Sequence, residues 1–583
     1  MVIFKNKCTL ITLLLLAISM YVCFFNLDGS YLWKDEAHTA FIAKNILKYG
    51  LPKVWDGQNL LTGTEGNDFN EQFVLISKGW MQFYITAVSF YFLGTSTFAA
   101  RLPFAMLGFL TIIINYLLAK KIFKKESLAT LTLFFNVVCV QYILYIRTCR
   151  DYAITMFFIS LTTYLMLIIF ENRRQLGYMR KIDTIMIIGS SISLALLLYS
   201  NHLFGGVYCI SLIGYTILFE HFSIKRSIVI VSIGILVWIP WYIYVLQSGV
   251  PSGYQISSNI VDRFLIGAWK IQTYFFPFIT IIVLMLILGL ISKKSRHCSN
   301  VPRALWFFTI LVSANVIIVS FVEFFIVNHY YLTAAVTVPF FMTFSTMMII
   351  ENSKILAVPF VISISFTNVL NIQPYYWIKE QNIINADGYS YGSEESEVTC
   401  AGIVASPFTE GDGSIRSLKR YISDIEINCN FANMLYEIQY GYDGINKEIS
   451  ELLNKLGNDN DVVLYAGAEP EPFAFYTNMK LIRTLSKDVT VFENYFDSYP
   501  NQKYEYLVDD SDEDIDWIII SSLGRILLFH DEDFLKKNYD KFEVYETNVT
   551  DTFLSNSPDL DYHMFKPKVE GKKVTILHKK KGW

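Results

Sequence analysis

Two adjacent acids, Asp35 and Glu36, followed by His38, stand just beyond an apolar run, Thr9 to Phe25, in "SYLWKDEAHTAFIAKNILKYGLP" (Ser30 to Pro52). A carboxylate held at the water–lipid boundary is suited to take a proton from an incoming hydroxyl. An arbitrary acid pair in such a place is more often a solvated cap, because acids outside the hydrocarbon cost little. Adjacent helical residues point about 100° apart, so the two acids cannot share one direction. One can face a central cavity while the other braces backbone or neighbours. The spacing of Ala37, Phe41, Ile42, Ile46 and Leu47 predicts an amphipathic helix lying along the surface.

Further polar groups gather in three short stretches between apolar runs: "RTCRD" (Arg147 to Asp151), "SNH" (Ser200 to His202) and "NHYY" (Asn328 to Tyr331). Singly, each has a plain explanation, since arginines snorkel and histidines and tyrosines populate interfacial belts. Together, on one face with Asp35, cations, histidines and an acid can hold a phosphate anion beside a base.

The elements that must position these residues are set by composition. The 583 residues are 53% hydrophobic and only 17% charged, with a net charge of −4. These values mark a polytopic membrane protein, and the charge balance offers no basic surface for nucleic acid. Apolar runs of spanning length fall near 8–26, 101–123, 127–146, 152–170, 183–200, 203–219, 227–246, 274–291, 304–327, 330–350 and 355–371. That is about eleven helices by the roughly 20-residue criterion. The first run exceeds a signal-peptide core and no A-x-A-like site follows, so it reads as an uncleaved membrane helix. Every second loop is basic: "KNK", "AKKIFKK" from Ala119, "ENRRQLGYMRK" from Glu171, "SIKRS" from Ser223 and "SKKSRH" from Ser292. The positive-inside rule puts these in the cytoplasm of a plasma-membrane protein. The first loop, about 27–100, and everything from about 373 onward then face outward.

The chain therefore divides into a transmembrane domain, 1–372, and a soluble extracytoplasmic α/β domain, 373–583. In the latter, "DVVLYAG", "DWIIISS", "FEVYE" and "KVTILHK" read as strands, and "DGINKEISELLNKL" and "EDFLKKNY" as helices. It holds no Gly-rich phosphate loop and no catalytic triad, and reads as a structural or acceptor-gripping cap. The eight cysteines form no zinc spacing. Cys400 and Cys429 share the polar part, where a disulfide and two separate thiols are equally open.

"LWKDEAHTAFIAKNILKYGLP", the "RLP" block within "MQFYITAVSFYFLGTSTFAARLPFAMLGFLTIIINYLLAKKIF", "RTCRDYAITMFF" and "NHYYLTAAVTVPFF" resemble the C-type glycosyltransferases. The similarity is to the protein mannosyltransferase-like and aminoarabinose transferase-like branch; it spans about residues 8–371 and fades beyond. The resemblance implies transfer of a sugar from a polyprenyl-phosphate carrier on the outer face, with inversion, to a protein, lipid or surface-polymer acceptor. Carried over by motif, Asp35 is the catalytic base, Glu36 its neighbour and Asp151 a second acid. Arg147, Arg150, His202, His329 and Tyr330 are the candidates for the donor phosphate by position. Some relatives bind a divalent metal at this site and others do not, and no spacing here identifies one.

Two other classes make different demands. A transporter or flippase of lipid-linked sugars calls for ionisable groups or broken helices at mid-membrane depth in related halves; only Glu323 comes near that. A non-catalytic receptor or assembly subunit has no use for Asp35.

Overall fold

The computed structural model describes residues 7–61, 68–176, 181–248, 260–291, 301–321, 328–371, 429–441, 444–466, 470–483, 515–520, 541–550, 557–559, 563 and 573–580. The protein is mainly helical, a multi-pass membrane domain followed by a part containing a small sheet. Each apolar run carries a helix: α1 (Lys7–Phe24), α4 (Thr97–Phe123), α5 and α6 (Glu126–Val138, Val140–Ile146), α7 (Asp151–Leu176), α8 (Lys181–Ser200) and α9 (His202–Phe219). The series continues with α10 (Ile224–Gln247), α11 and α12 (Ile260–Lys270, Phe278–Ile291), α13 (Arg303–Phe321), α14 (Leu332–Asn352) and α15 (Lys354–Phe366).

Not every run is one straight span. Among the described residues seven helices are long and apolar enough to cross a membrane, or up to nine if each of two bent pairs is one span. The run near 127–146 bends by 66° between α5 and α6, and α11 and α12 meet at 77°. α1 and α15 are shorter apolar helices. A count of apolar residues cannot see a bend, because the bend leaves hydropathy unchanged.

The segment between α1 and α4 carries α2 (Lys34–Tyr49) and α3 (Met81–Leu93). α2 does not lie on the surface as its periodicity predicts. Glu36, His38, Thr39, Ala40, Ala43 and Asn45 are buried as well as Ala37, Phe41, Ile42 and Ile46, and only a narrow strip including Leu47 is open. Gly50, at φ 75°, ends α2 in the left-handed conformation. The covering mass comes from α3 and from the C-terminal part. A short helix there, α18 (Glu471–Tyr476), places the Tyr476 hydroxyl 2.8 Å from the Leu32 N–H and 2.6 Å from Thr97 Oγ1, with Tyr476 stacked on Tyr31.

The same part has a five-stranded sheet in the order β2-β1-β3-β5-β4, with β1 Val462–Ala466, β2 Lys480–Arg483, β3 Trp517–Ile520, β4 Phe542–Thr550 and β5 Lys573–Lys579. β1 runs parallel to β2 and β3, whereas β5 is antiparallel to β3 and β4. Helices α16 (Asn430–Tyr440) and α17 (Ile445–Leu456) precede it. α17 lays Ile445, Ile449 and Leu453 on Val463, Trp517, Ile519 and Ile576, one heptad-like stripe closing one sheet face. β1, β3, β4 and β5 match the strands read from sequence. "EDFLKKNY" and Cys400 lie outside the described residues.

Candidate active site

The acid pair separates as adjacent helical positions must. Glu36 turns inward, fully buried, and Arg101 meets it edge on, Nε to Oε1 at 2.8 Å and Nη2 to Oε2 at 2.6 Å. This fork-to-fork geometry is the strong form of an ion pair. Oε1 also accepts the Cys149 N–H at 2.7 Å, and Oε2 reaches back to the Trp33 N–H at the start of α2 at 3.5 Å. Arg101 Nη1 donates to the carbonyls of Leu27 and Ser30 at 2.8 and 2.9 Å. One buried pair therefore joins the segment after α1, the start of α2, the first turns of α4 and the turn before α7.

Arg101 belongs to the "RLP" block, and the block's proline explains the neighbouring contact. Pro103 sits inside α4 and has no N–H to offer the Ala99 carbonyl, which instead accepts the Ser89 hydroxyl of α3 at 2.5 Å.

Asp35 faces the other way, with its side chain 24% exposed and Arg150 Nη2 at 3.2 Å from Oδ2. Arg150 is itself buried over the Tyr152 ring, and its Nε and Nη1 have no hydrogen-bond partner among the described residues. Burial alone raises the Asp35 carboxyl, but the positive charges of Arg150, Lys78, Lys34 and His329 outweigh it and hold the group below the usual carboxylate range. Lys78 completes the cluster. Burial and the Arg150 charge lower its ammonium from the ordinary lysine value, against the pull of Asp35, Asp68 and Asp151. The backbone explains its placement, because a Cβ on the next residue, Gly79, would stand 2.3 Å from the Tyr199 carbonyl oxygen, so only glycine lets this loop press on the end of α8. His38, one turn beyond Asp35, is pushed down to about 3, by burial first and then by Lys78, and is neutral near pH 7.

Asp151 opens α7, its N–H donating to Gln82 Oε1 at 3.0 Å and its Oδ2 accepting Asn201 Nδ2 at 2.8 Å. Asn201 in turn caps α9 through the Leu203 N–H, which sets His202 at the same helix ends, 6.2 Å from Trp241 between ring centres. His329 stacks on Tyr152 at 5.3 Å, and Tyr330 packs against His329 at 4.5 Å. Arg147 is the exception. Its guanidinium donates to the carbonyls of Val22, Cys23, Phe25 and Asn26, capping the last turn of α1, so it is occupied with backbone and is not a free anion clamp. Sequence reasoning gave no role to Lys78, Gln82, Asn201 or Arg101, although Arg101 lies in the "RLP" block and Asn201 in "SNH". Among the described residues no three His, Cys, Asp or Glu side chains converge as a metal set.

Helices thus gather acids and cations at one end of the bundle, and comparisons with known proteins show what this fold is similar to. A family model for dolichyl-phosphate-mannose-protein mannosyltransferase matches residues 77–244, a stretch that holds Lys78, Arg101, Arg150, Asp151 and His202. The structure is similar to ArnT from Cupriavidus metallidurans, both in the apo state and bound to undecaprenyl phosphate, with a TM-score of 0.55, 12% identity and 98% of each chain covered. It also resembles the oligosaccharyltransferase AglB from Archaeoglobus fulgidus in complex with an inhibitory peptide and a dolichol-phosphate, at a TM-score of 0.49 and 10% identity over 94% of this chain and 73% of that one. No curated protein sequence matches the chain. The likeness to ArnT runs through the C-terminal part, where the sequence resemblance fades.

Removing one partner of the Glu36–Arg101 pair leaves a buried charge alone, a loss of about 3–5 kcal/mol. Arg101→Met should lower the melting temperature and yield sharply, and Arg101→Met with Glu36→Gln should recover part of the loss, since no lone charge is left. Asp35→Asn should lose less than Arg101→Met, because Asp35 is partly open to solvent, though Arg150 is left without its carboxylate. Thermal melts of the purified detergent-solubilised variants check all three.

Proposed function

We propose that the protein transfers a sugar from a polyprenyl-phosphate carrier to an acceptor hydroxyl on the outer face of the membrane, with inversion at the anomeric carbon. The carrying observation is the pairing of Asp35 with a buried arginine whose Nε and Nη1 have no partner among the described residues, beside Lys78. An ionised base and unused anion donors are thus held within one cluster, and their alignment is what such a transfer requires.

The chemistry follows from charge. Asp35 takes the proton of the acceptor hydroxyl as its oxygen bonds to the anomeric carbon. The bond from that carbon to the phosphate oxygen breaks, and its electron pair leaves with the lipid phosphate. The leaving group is a phosphate and needs no strong acid, only cations for its growing charge, which Arg150 and Lys78 supply with His329 and His202 nearby. A base as weak as Asp35 accepts the proton only as the new bond makes the hydroxyl acidic, which ties proton removal to bond formation. Glu36 does not take part directly; held by Arg101, it keeps α2 in register so that Asp35 points at the mouth. Asp151, bonded to Gln82 and Asn201, steadies the turn that carries Arg150. Arg147 and Tyr330 act through the backbone and rings they pack. The resemblance leaves a divalent metal open, and no step here depends on one.

Orientation is part of this reading. At the end of the helices away from Asp35, Lys121 pairs with Glu171 at 3.0 Å and Lys120 with Glu126 at 2.8 Å, joining loops that the positive-inside rule assigns to the cytoplasm. We place Asp35 and the C-terminal domain outside. Lys120→Cys and Glu543→Cys should react with a membrane-impermeant maleimide from opposite sides of intact vesicles. Labelling of both from one side overturns the orientation.

Asp35→Asn should cut sugar transfer by a factor on the order of 100 to 10,000 while leaving donor binding intact or tighter. Arg150→Ala should weaken donor binding instead, and Glu543→Gln, exposed on β4, should do neither. Transfer from radiolabelled polyprenyl-phosphate sugars in proteoliposomes, read beside binding of undecaprenyl phosphate, separates these. Wild-type transfer by Asp35→Asn would reduce the acid pair to an interfacial cap.

The lowered ammonium of Lys78 gives the pH dependence its sign. As pH rises, Lys78 loses its charge before an ordinary lysine does, so donor binding should weaken at pH values below the usual lysine range. Lys78→Arg, whose guanidinium does not deprotonate, should abolish that alkaline limb. Asp35 stays ionised through mild acid, so transfer should not fall for want of the base between about pH 7 and 5. Binding and transfer titrated in both proteins check the two limbs.

A further inference from the structure

The C-terminal part touches the charge cluster through one carboxylate. Asp559 Oδ2 lies 2.5 Å from His329 Nδ1, and its Oδ1 accepts the His329 backbone N–H and the Tyr145 hydroxyl, each at 2.8 Å. The Asp559 carbonyl accepts Asn328 Nδ2 at 3.0 Å, and the carbonyl of the preceding Pro558 accepts the Tyr274 hydroxyl. Asp559 is therefore seated among α6, α14's leading turn and the π-helical turn Ile271–Phe275, with its side chain only 9% exposed. On the other side of the ring, His329 stacks on Tyr152, which lies under Arg150, and His329 is within Coulombic reach of Asp35.

We propose that Asp559 is a positioning residue that the C-terminal domain contributes to the donor site. A carboxylate on Nδ1 fixes the tautomer and the plane of an imidazole, so that the opposite nitrogen, Nε2, has a set direction. The backbone N–H of His329 donates to the same carboxylate, which holds Asp559 in place against the ring. Nε2 is then the ring nitrogen presented to a phosphate monoester. The groups facing this ring are Asp559, Tyr145, Tyr152, Tyr330 and, across the cluster, Arg150 and Asp35. The ligand class is the phosphate of the lipid carrier, and the inference rests on the transferase reading above. It makes the soluble domain part of the donor site and more than a cap.

The test is binding of undecaprenyl phosphate to the full-length protein in detergent. Asp559→Asn and His329→Gln should each weaken binding about tenfold, the loss of one charge-assisted contact. The double variant should also lose about tenfold and not a hundredfold, because both changes remove the same interaction. Asp559→Glu, which keeps the carboxylate, should recover part of the affinity. A merely structural Asp559 gives a lowered melting temperature with unchanged affinity, or additive losses in the double variant, and either result overturns the proposal. Should Asp559→Asn fail to fold, normal binding by His329→Gln overturns it equally. If the wild type does not bind undecaprenyl phosphate, the transferase reading itself fails; if it binds and Asp559→Asn binds as well, only this inference fails.

Discussion

The buried pair of Glu36 and Arg101 is the constraint on which the charged end of the helices is built. Neither charge can stay in the interior without the other, and neither is satisfied by the other alone. Glu36 also holds the Cys149 and Trp33 N–H groups, and Arg101 holds the Leu27 and Ser30 carbonyls. Four segments far apart in the chain are thereby fixed by charge-assisted bonds, which are shorter and stronger than neutral ones. An apolar replacement of similar volume can match such a pair in stability, but it carries no direction. Direction is what the segment between α1 and α4 needs, since a small rotation of α2 would swing Asp35 away from Arg150.

With α2 fixed, the remaining charges divide into those occupied by the protein and those that keep donors without partners among the described residues. Arg147 and Arg101 end on backbone carbonyls, and Asp151 ends on Asn201. Arg150 gives one nitrogen to Asp35 and keeps two without partners among the described residues. Lys78 stands among three acids with Arg150 as its like-charged neighbour. Repulsion between these two cations is offset by Asp35, which lies beside both.

Among the several contacts of the C-terminal part with the membrane domain, two differ in character. At α18 it covers the segment between α1 and α4 through the Tyr476 hydroxyl and ring stacking, a surface that buries α2 and excludes water from it. At Asp559 it inserts a single acid beside His329. The first contact is broad and mostly apolar, the second narrow and polar, and only the second reaches the charged mouth.

Much of the architecture is legible in the sequence because hydropathy and the charge of short loops are local properties. The apolar runs carry helices, the strands at 462–466, 517–520 and 573–579 follow their β-branched stretches, and the acid pair stands where its context marks it. The split between Asp35 and Glu36 follows from helical geometry, but which of the two turns inward does not, because Arg101 lies 65 residues away along the chain. In the same way Arg147 and Arg150 are indistinguishable in "RTCRD"; one meets the carbonyls at the end of α1 and the other meets Asp35 only once the helices pack. Lys78 sits in a plain loop, and its importance arises from Gly79 letting that loop approach the end of α8. Asp559, more than two hundred residues beyond His329, has no local signature at all. The bend at Cys139 is equally silent, since a helix can turn there without losing an apolar residue, whereas the one before Phe278 has Pro277 as its local mark. Sequence alone determined that a membrane domain carries acids and cations at its loop ends; the choice of which charge faces a ligand was decided by long-range pairing, because burial leaves each charge to the partner that packing brings within reach.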